Sequence, residues 1–169
     1  MNAASPPMPA KKNKKTSKIP FWEKPLKDLS RSEWERLCDG CGRCCLIKLE
    51  DDDTGAIYPT SVCCQLLDQN TGLCGNYATR RKYVPDCVRL TLKSSKIFAG
   101  CAHALCLLRY ADKPLPPWHP LISGDPESVF RAGVSVRGRI EADEREVDID
   151  DLPDFIRLWP KRWPKKARW

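Results

Sequence analysis

Ten cysteines carry most of the chemistry open to this chain, and the first four fall within eight positions as Cys38-x2-Cys41-x2-Cys44-Cys45. Cys63 and Cys64 follow after seventeen residues, then Cys74, Cys87, Cys101 and Cys106 after nine, twelve, thirteen and four. Thiolates are soft donors that suit zinc and iron alike. A C-x2-C-x2-C run can place three sulfurs on three corners of a 4Fe-4S cube, the fourth ligand coming from elsewhere. Cys38-x2-Cys41-Gly42 equally suits half of a tetrahedral zinc site completed by two sulfurs from a distant turn. Spacing leaves both open, and the third cysteine of the run tips the balance slightly toward iron-sulfur.

Adjacent cysteines add a constraint. In extended or irregular backbone, neighbouring side chains point to opposite sides, so Cys44 and Cys45 are expected to serve two neighbouring sites rather than one. The same argument applies to Cys63 and Cys64. Cys63 and Cys106 read as small buried residues rather than as ligands.

Other chemistry has little to work with. His103 and His119 are the only histidines, and no Ser-His-Asp order, phosphate loop or dinucleotide fingerprint accompanies them. His119, between Trp118 and Pro120, is read chiefly as a hydrogen-bonded structural residue, with a ligand or acid-base role as the alternative. The acidic stretch Asp51-Asp52-Asp53-Thr54-Gly55 fails as a calcium loop: with Gly55 at position six, the closing carboxylate position falls on Ser61. It predicts a hairpin turn instead.

The elements that must position the thiols follow from local signals. Ser30 and Glu33 form a capping-box pattern, and Trp34 and Leu37 share a helical face, so a short helix is expected from Arg31 to Leu37, delivering Cys38. Gly40 and Gly42 then allow a tight reversal that can aim amide N–H groups at sulfur. Residues 46–62 read as a strand or two broken by the acidic turn, with extended structure resuming at Ile57 and Tyr58. Gln69 to Gly72 and Val84 to Asp86 are turn signals that leave Cys74 and Cys87 in or beside loops. A helix over Ile97 to Tyr110 would carry Cys101 and Cys106. Val134, Val136 and Ile140 alternate as in a strand, and a terminal element from Asp148 to Trp159 is interrupted by Pro153.

The chain has 169 residues, fifteen prolines and a net charge of +7. Residues 1–18 hold five lysines and 160–169 five basic residues, with no acid in either. Removing those ten from the 29 basic residues leaves 19 against 22 acidic, so the body is near −3. An extended phosphate-binding groove is not expected there, and the tails read as solvated ends. A nucleic-acid role through the tails, with Trp159, Trp163 and Trp169 as stacking groups, is the alternative. Residues 1–18 lack an apolar run of about seven residues after their positive charges, and no stretch approaches the roughly twenty apolar residues of a membrane span. The expectation is a cytoplasmic protein with no membrane partner, in a compartment where thiols stay reduced and bind metal rather than pair as disulfides.

The run Leu37-Cys38-Asp39-Gly40-Cys41-Gly42-Arg43-Cys44-Cys45-Leu46, with Cys74-x-Asn76-Tyr77, Pro85-Asp86-Cys87, Cys101-Ala102 and Trp118-His119-Pro120-Leu121, resembles the bacterial YkgJ-type cysteine-cluster family in its YcgN-like subgroup. The resemblance covers about residues 20 to 157. It implies a zinc- or iron-chelating domain whose eight cysteines fall on Cys38, Cys41, Cys44, Cys45, Cys64, Cys74, Cys87 and Cys101, the number needed for two four-thiolate sites. The spacing from Cys101 to Trp118 is about three residues longer than is usual there, so Cys106 competes with Cys101 as the last ligand. A remote likeness to flagellin lysine methylase adds an iron-sulfur enzyme as an alternative function; a zinc-stapled nucleic-acid binder is the other.

Together these readings predict a small, loop-rich α+β domain over residues 19–159, stapled by cysteine-bound metal between a Lys- and Pro-rich tail (1–18) and a basic tail (160–169). The cofactor is an iron-sulfur cluster or zinc. A filled structural zinc site contributes about 10–16 kcal/mol, more than the net stability of most small cores.

Overall fold

The computed structural model describes residues 19–91 and 114–159; the helix expected over Ile97 to Tyr110, with Cys101, His103 and Cys106, lies outside them, as do both tails. Two 3-10 turns, Phe21–Glu23 and Leu26–Asp28, lead into helix α1 at Arg31–Glu35. Its start is fully capped: the Glu33 amide donates to Ser30 Oγ at 3.2 Å and the Ser30 amide donates to Glu33 at 2.9 Å, satisfying two N–H groups that no helical carbonyl can reach.

A third 3-10 turn, Arg43–Cys45, runs directly into strand β1 at Leu46–Glu50, which pairs antiparallel with β2 at Ile57–Cys63. The acidic turn between them is a hairpin as expected. Asp51 Oδ1 accepts from the amide and hydroxyl of Thr54 at 2.8 and 2.6 Å, and Gly55 takes the left-handed φ of +64°. On its other side β2 pairs in parallel with β5 at Ala142–Asp143, which aligns Cys63 with Asp143. Strands β3 at Leu67–Asp68 and β4 at Leu73–Cys74 make a separate small hairpin, with Leu67 opposite Cys74. Helix α2 spans Arg80–Tyr83, and short helices α3 at Pro120–Ser123 and α4 at Ser128–Arg131 precede β5.

The alternation at Val134, Val136 and Ile140 does not form a strand. Val134 and Val136 are buried, but Gly133 and Gly138 both take φ of +71°, and the segment turns twice between them rather than extending along a partner. Its amide at Val136 donates to the Cys41 carbonyl at 2.9 Å, and Arg139 N–H donates to Val136 at 3.0 Å. The terminal element is a 3-10 helix, Ile149–Phe155, which accommodates Pro153.

Burial divides into small clusters. Cys41, Trp118, Val129 and Val134 form one, and Leu46, Cys63, Leu67 and Val136 a second against which Cys45, Ile140 and Trp159 pack. Leu115 with Trp22 and Leu121 makes a third. The outcome is a small, mixed α+β arrangement of short elements, as the sequence predicts. Among the described residues no helix is long and apolar enough to cross a membrane.

Candidate metal centre

The cysteine run starts three residues beyond the end of α1, after the C-cap Arg36 and Leu37. Gly40 and Gly42 each adopt φ of +76°, a left-handed conformation that L side chains rarely take, and the Gly40 amide points at Cys38 Sγ at 3.4 Å. Asp39, 4% exposed, accepts the Cys41 amide at 3.0 Å. A side chain at Gly42 has no room: its Cβ would lie 2.6 Å from Val136 Cγ2 and 2.9 Å from the Gly72 carbonyl. The close approach of three separate segments therefore depends on this glycine.

The turn from Gly42 closes when Cys45 N–H donates to the Gly42 carbonyl at 2.9 Å. Because this backbone is a 3-10 turn and not an extended segment, Cys44 and Cys45 do not diverge. Their sulfurs lie 3.9 Å apart. The side chains therefore do not point to opposite sides as expected; that argument holds only for extended backbone. It does describe the second pair. Cys63 is buried among Leu46, Leu67 and Val136, whereas Cys64 is part-exposed.

Main-chain bonds bring the two pairs together. Cys64 N–H donates to the Cys45 carbonyl at 2.7 Å, and the register of β1 and β2 sets Leu46 opposite Cys63. Cys74 arrives by the β3–β4 hairpin, whose end is held by Gly75 N–H donating to Leu66 at 2.7 Å. The Cys45 thiol is consequently held strongly in its neutral form, first by its hydrogen bond with Cys44, then by burial, and further by charge on Cys44, Cys64 and Cys74. Burial pushes the Cys64 thiol up to about 11, with Glu144 and Cys87 adding to the effect. Burial and Asp143 raise Cys63 as well.

Cys44, Cys45, Cys64 and Cys74 thus share one neighbourhood, with Cys87 near Cys64. Cys41 sits in the Trp118 cluster, and Cys38 is exposed close to Tyr77. Among the described residues no three His, Cys, Asp or Glu side chains converge closely enough to hold one ion. No disulfide links the eight described cysteines. The donor set is wholly thiol, which fits zinc or iron and does not fit hard cations such as calcium or magnesium.

His119 is fully buried and caps α3. Its Nδ1 accepts the Leu121 amide at 3.1 Å, which leaves the ring proton on Nε2, 3.2 Å from the Leu37 carbonyl. Burial lowers its pKa against the opposing pull of Asp39. Both ring nitrogens bind main chain, so His119 ties the residue before Cys38 to the segment after Trp118.

The sequence assigns no structural role to three residues that shape this region. Arg43, 8% exposed, donates from Nε to the Val134 carbonyl at 3.1 Å and lies 5.5 Å from the Trp159 ring centre. Tyr77 bonds Glu35 at 2.5 Å, joining the Cys74 loop to α1. Glu144 reaches the Cys64 turn through the Gln65 amide at 2.7 Å. The signals that could have marked them are the charge embedded in the cysteine run at Arg43 and the place of Tyr77 in the Cys74-x-Asn76-Tyr77 motif.

Residues 37–107 match the CxxCxxCC family model, described as "Putative zinc- or iron-chelating domain". A UPF0260 protein of Rhodopseudomonas palustris (strain HaA2) is 50% identical over 153 residues, covering 88% of each chain. A second, from Rhodobacter capsulatus, is 53% identical over 138 residues, covering 80% of this chain and 92% of the other. A third, from Rhizorhabdus wittichii, is 51% identical over 138 residues, covering 80% and 94%. No solved structure matches. Identity at this level, carried through both the cysteine run and the segment that packs on it, places the chain in a family: it belongs to the UPF0260 family, with a CxxCxxCC domain at residues 37–107.

Proposed function

We propose that this protein is a cytoplasmic metal-binding protein that holds zinc or iron through cysteine thiolates, with Cys44, Cys45, Cys64 and Cys74 as one four-thiolate set. Cys38, Cys41, Cys87 and Cys101 supply the remaining ligands. The supporting observation is the 3.9 Å separation of the Cys44 and Cys45 sulfurs beside Cys64 and Cys74. Zinc–sulfur bonds of about 2.3 Å put neighbouring sulfurs of a tetrahedral site about 3.8 Å apart, so the Cys44–Cys45 separation matches one edge of such a site, onto which Cys64 and Cys74 would have to close. A bound divalent metal would supply the positive charge that lets crowded thiols ionise. The chain's own contribution is to fix sulfur positions through the Gly42 turn, the Cys45–Cys64 main-chain bond and the β3–β4 hairpin.

Anaerobic purification followed by metal analysis and an absorption spectrum tests this reading. Brown protein with iron and labile sulfide identifies a cluster, and colourless protein with bound zinc identifies a zinc site. Protein that carries no metal and takes up neither zinc nor iron would sink the proposal.

A further inference from the structure

The family model ends at residue 107, yet the turn that presents Cys64 is closed from outside it. Glu141 N–H donates to the Ser61 carbonyl at 3.0 Å and Glu144 N–H to the Cys63 carbonyl at 2.9 Å, so residues 141–144 run alongside the end of β2. The Glu144 carboxylate then accepts the Gln65 amide at 2.7 Å. Cys64 is thereby bracketed, with the carbonyl of the residue before it and the amide of the residue after it both bonded to Glu144.

We infer that Glu144 is a positioning residue for Cys64, latching the Cys63–Cys64–Gln65 turn so that this sulfur faces Cys45. The inference rests on the thiolate-metal reading. It assigns to the C-terminal segment a direct part in building the metal site, through a carboxylate that holds the residue following a ligand. An acceptor oxygen at position 144 is what the latch needs. Glutamine keeps that oxygen, and alanine removes it.

The test loads wild type, Glu144→Ala and Glu144→Gln anaerobically with cobalt(II), whose thiolate charge-transfer absorbance scales with the number of bound sulfurs, and measures zinc affinity by chelator competition. Glu144→Ala is expected to lose about one thiolate's share of the absorbance and to bind zinc about 10- to 150-fold more weakly, as for loss of one charge-assisted hydrogen bond. Glu144→Gln is expected to retain the wild-type spectrum. An unaltered spectrum and affinity in Glu144→Ala would overturn the inference, as would tighter binding in both variants, because the carboxylate would then act only as a repelling charge. If wild type itself takes up neither cobalt nor zinc, the metal reading fails, and the inference with it.

Discussion

Arg43 Nε donates to the Val134 carbonyl at 3.1 Å across 91 residues of sequence, fastening the cysteine run to the segment that follows α4. The same guanidinium lies over the Trp159 ring, with Arg139 on that ring as well at 5.6 Å. Replacing Arg43 with Met keeps the apolar stem but strands the Val134 carbonyl and removes the cation–π contact. Urea unfolding is expected to report a loss of about 1.5–4 kcal/mol, and Arg43→Lys should not recover all of it, since ammonium lacks the planar face that stacks on Trp159.

Gly42 and Gly138 share nearly the same positive φ, +76° and +71°, but differ in what surrounds them. Nothing lies within 4 Å of a Cβ at Gly138, so Gly138→Ala should cost only the conformational penalty of about 1–2 kcal/mol. Gly42→Ala meets Val136 and the Gly72 carbonyl and should be the more damaging by at least about 1–3 kcal/mol. Equal melting temperatures for the two variants would contradict the crowding described at Gly42.

Cys45 and Cys63 should separate binding from packing. Cys45→Ser is expected to abolish metal retention after gel filtration with chelator. Cys63→Ser places a hydroxyl among Leu46, Leu67 and Val136 and should lower stability by about 1–3 kcal/mol while leaving metal stoichiometry unchanged. Loss of metal from the Cys63 variant at temperatures where it remains folded would move Cys63 into the ligand set.

His119 predicts a pH dependence. Its folded pKa is lowered by burial below the ordinary 6.5, with Asp39 as the charged group that opposes the shift. Neutral His119 therefore contributes its full stability above about pH 6.5, and the contribution falls as the pH drops below it, because the unfolded chain takes up the proton first. His119→Gln should flatten that part of the stability profile between pH 7 and pH 5 and lower stability overall, as the Leu37 carbonyl and Leu121 amide lose their ring partners.

Glu33 titrates in a lower window. Its hydrogen bond with Lys24, and then the Ser30 amide, hold its pKa at about 2 against an ordinary 4.5. The stabilisation is present above about pH 4.5 and lost as the pH falls toward 2. Thermal melts of wild type and Glu33→Gln should differ at pH 6 and converge near pH 2.

Short-range chemistry was decided by the sequence itself. Ser30 and Glu33 can cap only the helix between and after them, the Asp51 turn closes on its own Thr54, and Gly40 and Gly42 permit a reversal that few other residues could make. Each depends on atoms a few residues apart, so each was legible before any tertiary contact was known. The likeness of the cysteine run to the CxxCxxCC family pattern was legible for the same reason, as a property of residue type and spacing. What only the tertiary structure decided is which sulfurs meet. The chain turns in 3-10 form at Arg43–Cys45, where Gly42 leaves room for Val136 and Gly72 beside it, and two sulfurs expected to diverge lie 3.9 Å apart. Val134 and Val136 showed the burial of a strand without its geometry, since burial follows from side-chain type but a strand also needs a partner ladder, and their segment instead spends its amide at Val136 on the carbonyl of Cys41.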